Sequence, residues 1–385
     1  MSASTPSVGQ WLRNKRVIVC CGAGGVGKTT VSASLALGAA RAGLRVVAIT
    51  VDPSRRLAEA LGIARNLPSP TELSHERLRA AGVEPPGTLA AWMLDPQLVC
   101  DRVVNAVSPS EGARRQLLGN RLYQNVSTLI AGMHEYTAVE ALHEFIRDDR
   151  YDLVVLDTPP SRNALRFLET PARANAFLDP RILSFFIPSQ DSAFHRAGSK
   201  LINKLLDLGL GRAAREELQE FLSLFQVILR HLNRNQEEMR RFFGSPDVSF
   251  LLVTSLFQAA QDEAHHFEQR AREVGVRMGG YILNQSLAHV EELPPPHGLL
   301  SADAPPSARR ALDHLTALAA LDERTARGHL ALATALREQT GARTPLWVLP
   351  RLTGQDMDLT ALVDLAEVLM STPATTSPPI AARSR

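Results

Sequence analysis

Eight consecutive residues near the start of the chain, Gly22-Ala-Gly-Gly-Val-Gly-Lys-Thr29, fit the pattern G-x-x-x-x-G-K-[ST]. Glycine lets a backbone turn successive N–H groups toward one point, which suits a phosphate. In that pattern Lys28 sets its ammonium on the β- and γ-phosphates, and the Thr29 hydroxyl takes Mg²⁺. A helix that starts at the loop adds partial positive charge. Only Lys15, Lys28, Lys200 and Lys204 are lysines, in a chain of 42 Lys and Arg. Two carboxylates complete the chemistry. Asp157 closes the apolar run Leu153–Leu156 and suits the metal shell, through water. Asp52, in Thr50-Val-Asp-Pro-Ser54, would face the γ-phosphate and position an attacking water. An unperturbed carboxylate is a poor base at neutral pH, so orientation is favoured over proton abstraction. Alone, either Asp is equally well read as a helix cap.

The elements around these residues agree with that chemistry. Arg16–Cys21 is a short β-branched run, read as a buried parallel strand. Thr29–Ala42 reads as a helix with Gly43 behind it, and Leu44–Val51 as a second buried strand. Further strands are expected at Leu89–Leu94, Asp152–Asp157, Val248–Thr254, Met278–Leu283 and Leu346–Leu349, with a last helix at Leu359–Met370. Strand and helix alternation points to an α/β fold, a doubly wound and mostly parallel sheet. In such a sheet the carboxyl ends of the strands face the ligand. Residues 171–244 carry helical patterns and no strand pattern, and are expected as an inserted α-helical subdomain. Ten of the 13 phenylalanines fall between Phe145 and Phe243, so much of the aromatic surface belongs there. Residues 1–12 are expected to be a mobile N-terminus, 13–370 the main domain, and 371–385 a disordered tail.

Composition removes other classes. With 42 basic and 40 acidic residues the net charge is +2, too small for a protein that coats nucleic acid. No 18-residue apolar stretch and no secretory signal are seen, so no integral membrane segment and a cytoplasmic location are expected. Three cysteines do not make a disulfide scaffold. Cys20 and Cys21 are neighbours on a strand and point to opposite faces, which argues against a converging soft thiolate site. The 11 histidines are dispersed, and His265-His266 cannot share a ligand face. Leu218, Phe221, Leu222, Phe225, Ile228, Leu229 and Leu232 form one apolar stripe, readable as core or as a groove for an apolar helix.

Four segments carry a family resemblance: Gly22–Thr30, Asp52-Pro-Ser-Arg-Arg-Leu-Ala-Glu-Ala-Leu-Gly62, Asp157-Thr-Pro-Pro-Ser-Arg-Asn-Ala-Leu-Arg-Phe-Leu168 and Ile282-Leu-Asn-Gln285. Together they resemble the family of arsenical-pump ATPases and guided-entry tail-anchored-protein targeting ATPases. Order and spacing agree over about residues 13 to 370. The resemblance implies a MinD-like P-loop fold that sandwiches ATP between two protomers and hydrolyses it with Mg²⁺. It implies that Gly22, Ala23, Gly24, Gly25, Val26, Gly27, Lys28, Thr29 and Thr30 bind ATP or ADP. Asp52 becomes the switch I catalytic aspartate and Asp157 the start of switch II. Asn284 would recognise adenine, and Pro350, Arg351 and Leu352 would form the loop on the adenine side. The insertion would couple nucleotide state to a membrane-protein client or a transport partner.

Three departures stand out. The family's signature lysine, which reaches the partner's nucleotide, is Ala23 here. A homodimer would lack that cation, so either a paralogous partner carries it in a heterodimer or Arg55, Arg56 or Arg162 replaces it. The CxxC that holds zinc in eukaryotic targeting members is missing after Asn284, so no zinc is expected. Switch II reads Pro-Ser-Arg-Asn where the family usually has Pro-Thr-Gly-His. A slow, nucleotide-binding subunit of a heterodimer is the alternative reading, and a MinD/ParA-type positioning ATPase a weaker one.

Overall fold

The computed structural model describes residues 6–51, 56–63, 69–80, 84, 86–108, 110–120, 123, 134–158, 211–255, 258–273, 275–276, 278–287, 304–340, 344–351 and 359–374. Strands β1 (Val17–Cys21), β2 (Arg45–Thr50), β3 (Thr71–Glu72), β4 (Thr88–Met93), β5 (Leu153–Asp157), β6 (Val248–Thr254), β7 (Met278–Ser286) and β8 (Leu346–Pro350) form one sheet. It has eight strands in the order β3-β4-β2-β5-β1-β6-β7-β8. All neighbours run parallel except β3, which pairs antiparallel with β4 at the edge. Every residue of β1, β5 and β6 is buried. That is why these strands read as unbroken apolar runs: both faces are covered, so no alternation survives.

The helices are α1 (Val8–Leu12), α2 (Lys28–Arg41), α3 (Arg56–Leu61), α4 (His75–Ala80), α5 (Pro96–Val107), α6 (Glu111–Gly119), α7 (His134–Arg147), α8 (Arg212–Phe243), α9 (Gln258–Glu273), α10 (Pro306–Thr340) and α11 (Leu359–Ser371). They form two cores, one on each face of the sheet. Ile18 and Cys20 of β1 join Val46, Ala48, Leu251 and Val253 beneath α2 and α11. Val17, Val19 and Cys21 join Val47, Ile49 and Phe250 beneath α7 and α9. The alternation follows the two-residue period of a strand. Helix α2 is built from small residues because α11 presses on it from outside. A Cβ on Gly38 would lie 2.5 Å from the Met370 side chain.

The ends of the chain depart from expectation. Val8–Leu12, expected as mobile, is a helix with Val8 and Leu12 fully buried. Ser7 caps it, with Gln10 returning the bond. Trp11 meets Trp347 edge-on at 5.1 Å between ring centroids. The first residues of the expected tail close over this helix: Ser7 bridges to Pro373, and the Ala374 amide donates to the Pro6 carbonyl at 3.2 Å. Burial of two aliphatic side chains and a Trp pair outweighs the polar composition of the segment. Leu12→Ala is therefore expected to destabilise the protein by about 2–4 kcal/mol, read by urea unfolding. No effect would mean that the helix is not docked.

Of the expected insertion, α8 is described, while residues 159–210 lie outside the described residues. Phe221, Met239 and Phe243 of α8 are buried. The side chains of Phe225, Ile228, Leu229 and Leu232 lie outside the described residues, as does 182–187. Polar contacts tie α8 to α7: Asn235 Nδ2 donates to Glu140 Oε1 at 2.7 Å, and His143 Nε2 lies 2.9 Å from Glu238 Oε2. Of the apolar stripe, Phe221 is buried and Leu218 and Leu222 are half-buried. On α10, Leu315, Leu318 and Leu321 are exposed. Among the described residues no helix is long and apolar enough to cross a membrane.

Candidate functional site: the loop after strand β1

The loop from Gly22 to Gly27 links the carboxyl end of β1 to α2. Its glycines are required by geometry. Gly25 and Gly27 have φ of +79° and +89°, where side chains are strained. At Gly22, φ is +148° and a Cβ would lie 2.0 Å from the Val253 carbonyl oxygen. That contact is with the backbone of β6, which cannot move aside. Gly22→Ala is expected to cost about 2–5 kcal/mol of stability, through overpacking and strain together, again by urea unfolding. An unchanged midpoint would show that β1 and β6 separate freely here.

Gly27 is the N-cap of α2 and has no side chain to occupy the helix's first N–H groups. Lys28 follows and is nearly buried; its Nζ donates back across the loop to the Ala23 carbonyl at 2.7 Å. Ala23 is itself buried, its methyl in the core beneath α2.

The sheet register brings the acid to the loop. Asp157 pairs with Cys20 of β1 on one side and Thr50 of β2 on the other. It is 1% exposed. Two hydroxyls converge on one of its oxygens: Thr29 Oγ1 donates to Oδ2 at 2.8 Å and Thr50 Oγ1 at 3.1 Å. Thr50 is a residue that local sequence reasoning missed. Its signal lies in the register, since it ends β2 beside the end of β5. Next to Asp157, Thr158 Oγ1 donates to the Cys20 carbonyl at 2.8 Å, tying the end of β5 to β1.

Hard oxygen donors, two hydroxyls and a carboxylate, suit Mg²⁺ rather than a soft metal. The thiols do not compete. Cys20 and Cys21 lie in opposite cores, and burial pushes the Cys20 thiol up to about 12 and Cys21 well above its usual value. Both are neutral at pH 7 and cannot converge on one ion.

Asn284 reaches the loop from β7. It is 6% exposed, and its Nδ2 donates to the Val26 carbonyl at 2.9 Å. Pro350 stands beside Ser286 at the same end of the sheet, and the Arg351 amide donates to the Ser286 carbonyl at 2.9 Å. The structure therefore gathers Gly22–Thr30, Asp157, Asn284, Pro350 and Arg351 at the carboxyl ends of the strands. Asp52, Leu352, Arg55 and Arg162 lie outside the described residues, as does the side chain of Arg56.

Comparison with known proteins shows the family of the chain. Residues 15–292 match the model of the anion-transporting ATPase family, ArsA. The chain is 24% identical over 280 residues to ATPase GET3 of Malassezia globosa, covering 72% of this chain and 73% of that protein. It is 29% identical over 150 residues to ATPase get3 of Schizosaccharomyces pombe, covering 39% and 41%. It is 28% identical over 166 residues to a putative arsenical pump-driving ATPase of Halobacterium salinarum, covering 43% and 25%. The match to each of the last two thus spans less than half of the relative.

Proposed function

Since the chain is an ATPase of the anion-transporting ATPase family, we propose that it is a Mg²⁺-dependent switch whose ATP and ADP states differ in shape. The observation that carries this is the meeting of Thr29, Thr50 and Asp157 at the mouth of a glycine loop. The loop amides and the first turn of α2 grip the phosphates. Lys28 exchanges the Ala23 carbonyl for phosphate oxygen and holds the charge that develops in transfer. Thr29 and Asp157 hold Mg²⁺, which neutralises phosphate charge when bound. Asp52 orients the attacking water, and Asn284, Pro350, Arg351 and Leu352 take the adenine.

The working unit is a dimer in the cytoplasm. Here Ala23 favours a second reading, a heterodimer with a paralogue that has lysine at that position. An alanine side chain carries no charge, so this protomer offers no cation from that point. Helix α8, which packs on α7 and, through Phe243 on Phe250 of β6, directly on the sheet, is the route by which nucleotide state reaches an apolar helix of a membrane-protein client or a transport partner. The exposed leucines of α10 give a partner protein apolar surface.

Phosphate release by the purified protein, alone and mixed with such a paralogue, tests this together with light scattering. ATP-dependent pairing with turnover is expected. Turnover only on mixing selects the heterodimer. No turnover under either condition contradicts the proposal.

A further inference from the structure

The phosphate loop is not held by its own segment alone. Asn284, 258 residues away in sequence, donates from Nδ2 to the Val26 carbonyl at 2.9 Å. A carbonyl only accepts, so it is the nitrogen of the amide that faces the loop. The same nitrogen lies 2.3 Å from where a Cβ on Gly27 would sit. Any other residue at Gly27 would push Asn284 away.

The strand is deformed to aim this side chain. The β7–β8 ladder shifts register between Leu283 and Ser286. Within that shift Gln285 has φ of +57°, the one non-glycine with positive φ among the described residues. Such a conformation is costly and persists where its surroundings over-determine it. An irregularity of this kind re-aims a side chain beside a site. Beyond the shift both strands are pinned. The Arg351 amide donates to the Ser286 carbonyl, and the Leu287 amide to Nδ1 of buried His329 on α10.

A trans peptide is planar, with its C=O and N–H pointing in opposite directions. Fixing the Val26 oxygen therefore fixes the direction of the Gly27 N–H, on the side away from Asn284. We infer that Asn284 is a positioning residue for the phosphate loop, setting the grip on phosphate through the Val26–Gly27 peptide even where no base is present. This deepens the nucleotide reading above and rests on it. The strained Gln285 holds that strut in place, so the far edge of the sheet shares control of phosphate affinity.

The test is calorimetric binding of Mg·tripolyphosphate, which has no base, and of Mg·ATP. Wild type, Asn284→Ala and Asn284→Asp are compared, with melting as a check of folding. The aspartate keeps the side chain's volume but lacks the donor, so a misfolded alanine variant does not remove the test. Both ligands are expected to weaken in Asn284→Ala by a similar factor, about three- to tenfold. Asn284→Asp should lose more, because a carboxylate then faces the Val26 carbonyl. Amide exchange across Gly22–Thr30 in the ligand-free protein should quicken in both variants. Weakened Mg·ATP with unchanged tripolyphosphate binding and unchanged exchange would make Asn284 a reader of the base alone and overturn the inference. A wild type that takes up neither ligand would overturn the nucleotide reading and this inference with it.

Discussion

Lys28→Ala is expected to lower ATP hydrolysis by about 10²–10³-fold while leaving the fold intact. The ammonium of Lys28 lies over the loop, held at 2.7 Å by the Ala23 carbonyl. That bond parks the charge where phosphate oxygen arrives, so little reorganisation is needed on binding. With alanine at position 23, the proposal leaves Lys28 to carry more of the transition-state charge in this protomer. Removing one hydrogen bond to a charged group costs about 1.5–3 kcal/mol in the bound state. The unliganded protein also loses a nearly buried charge, which offsets the lost bond. The variant should thus unfold at nearly the wild-type urea midpoint and fail in turnover. Equal turnover would remove Lys28 from the chemistry.

Asp157→Asn is expected to separate the metal from the nucleotide. Asp157 Oδ2 receives both the Thr29 and Thr50 hydroxyls. An asparagine oxygen can still accept them, so the site keeps its shape. What is lost is the negative charge proposed to hold the metal. Turnover should fall by about 100-fold or more. A ligand at 100 times its Kd stabilises a protein by about 2.7 kcal/mol. In wild type the stabilisation by Mg·ADP should fall when Mg²⁺ is chelated; in Asp157→Asn chelation should make no difference. Without ligand the variant should be no less stable than wild type, since a buried carboxylate costs more to desolvate than an amide. Identical Mg²⁺ dependence in both proteins would place the metal elsewhere.

The central strands were legible because burial on both faces leaves an unbroken apolar run. Val248–Thr254 coincides with β6, and the run before Asp157 with β5. The glycine loop was legible because its backbone conformation admits few other residues. Other features need the tertiary fold. Thr50 joins Asp157 only through the pairing of β2 with β5, and Asn284 meets Val26 only through the order β1-β6-β7. Strand β3 is two residues of antiparallel edge and has no period to detect. Helix α1 is five residues long in a polar segment and is held by Trp347 and by the far end of the chain, which no local pattern reveals.

Titration calorimetry of the folded wild-type protein with Mg·ATP and Mg·ADP tests the account most directly. One site per chain is expected, with affinity that falls when Mg²⁺ is chelated and falls further in Lys28→Ala. Absence of heat and of any thermal shift with either nucleotide, alone or beside a paralogous subunit, would contradict it.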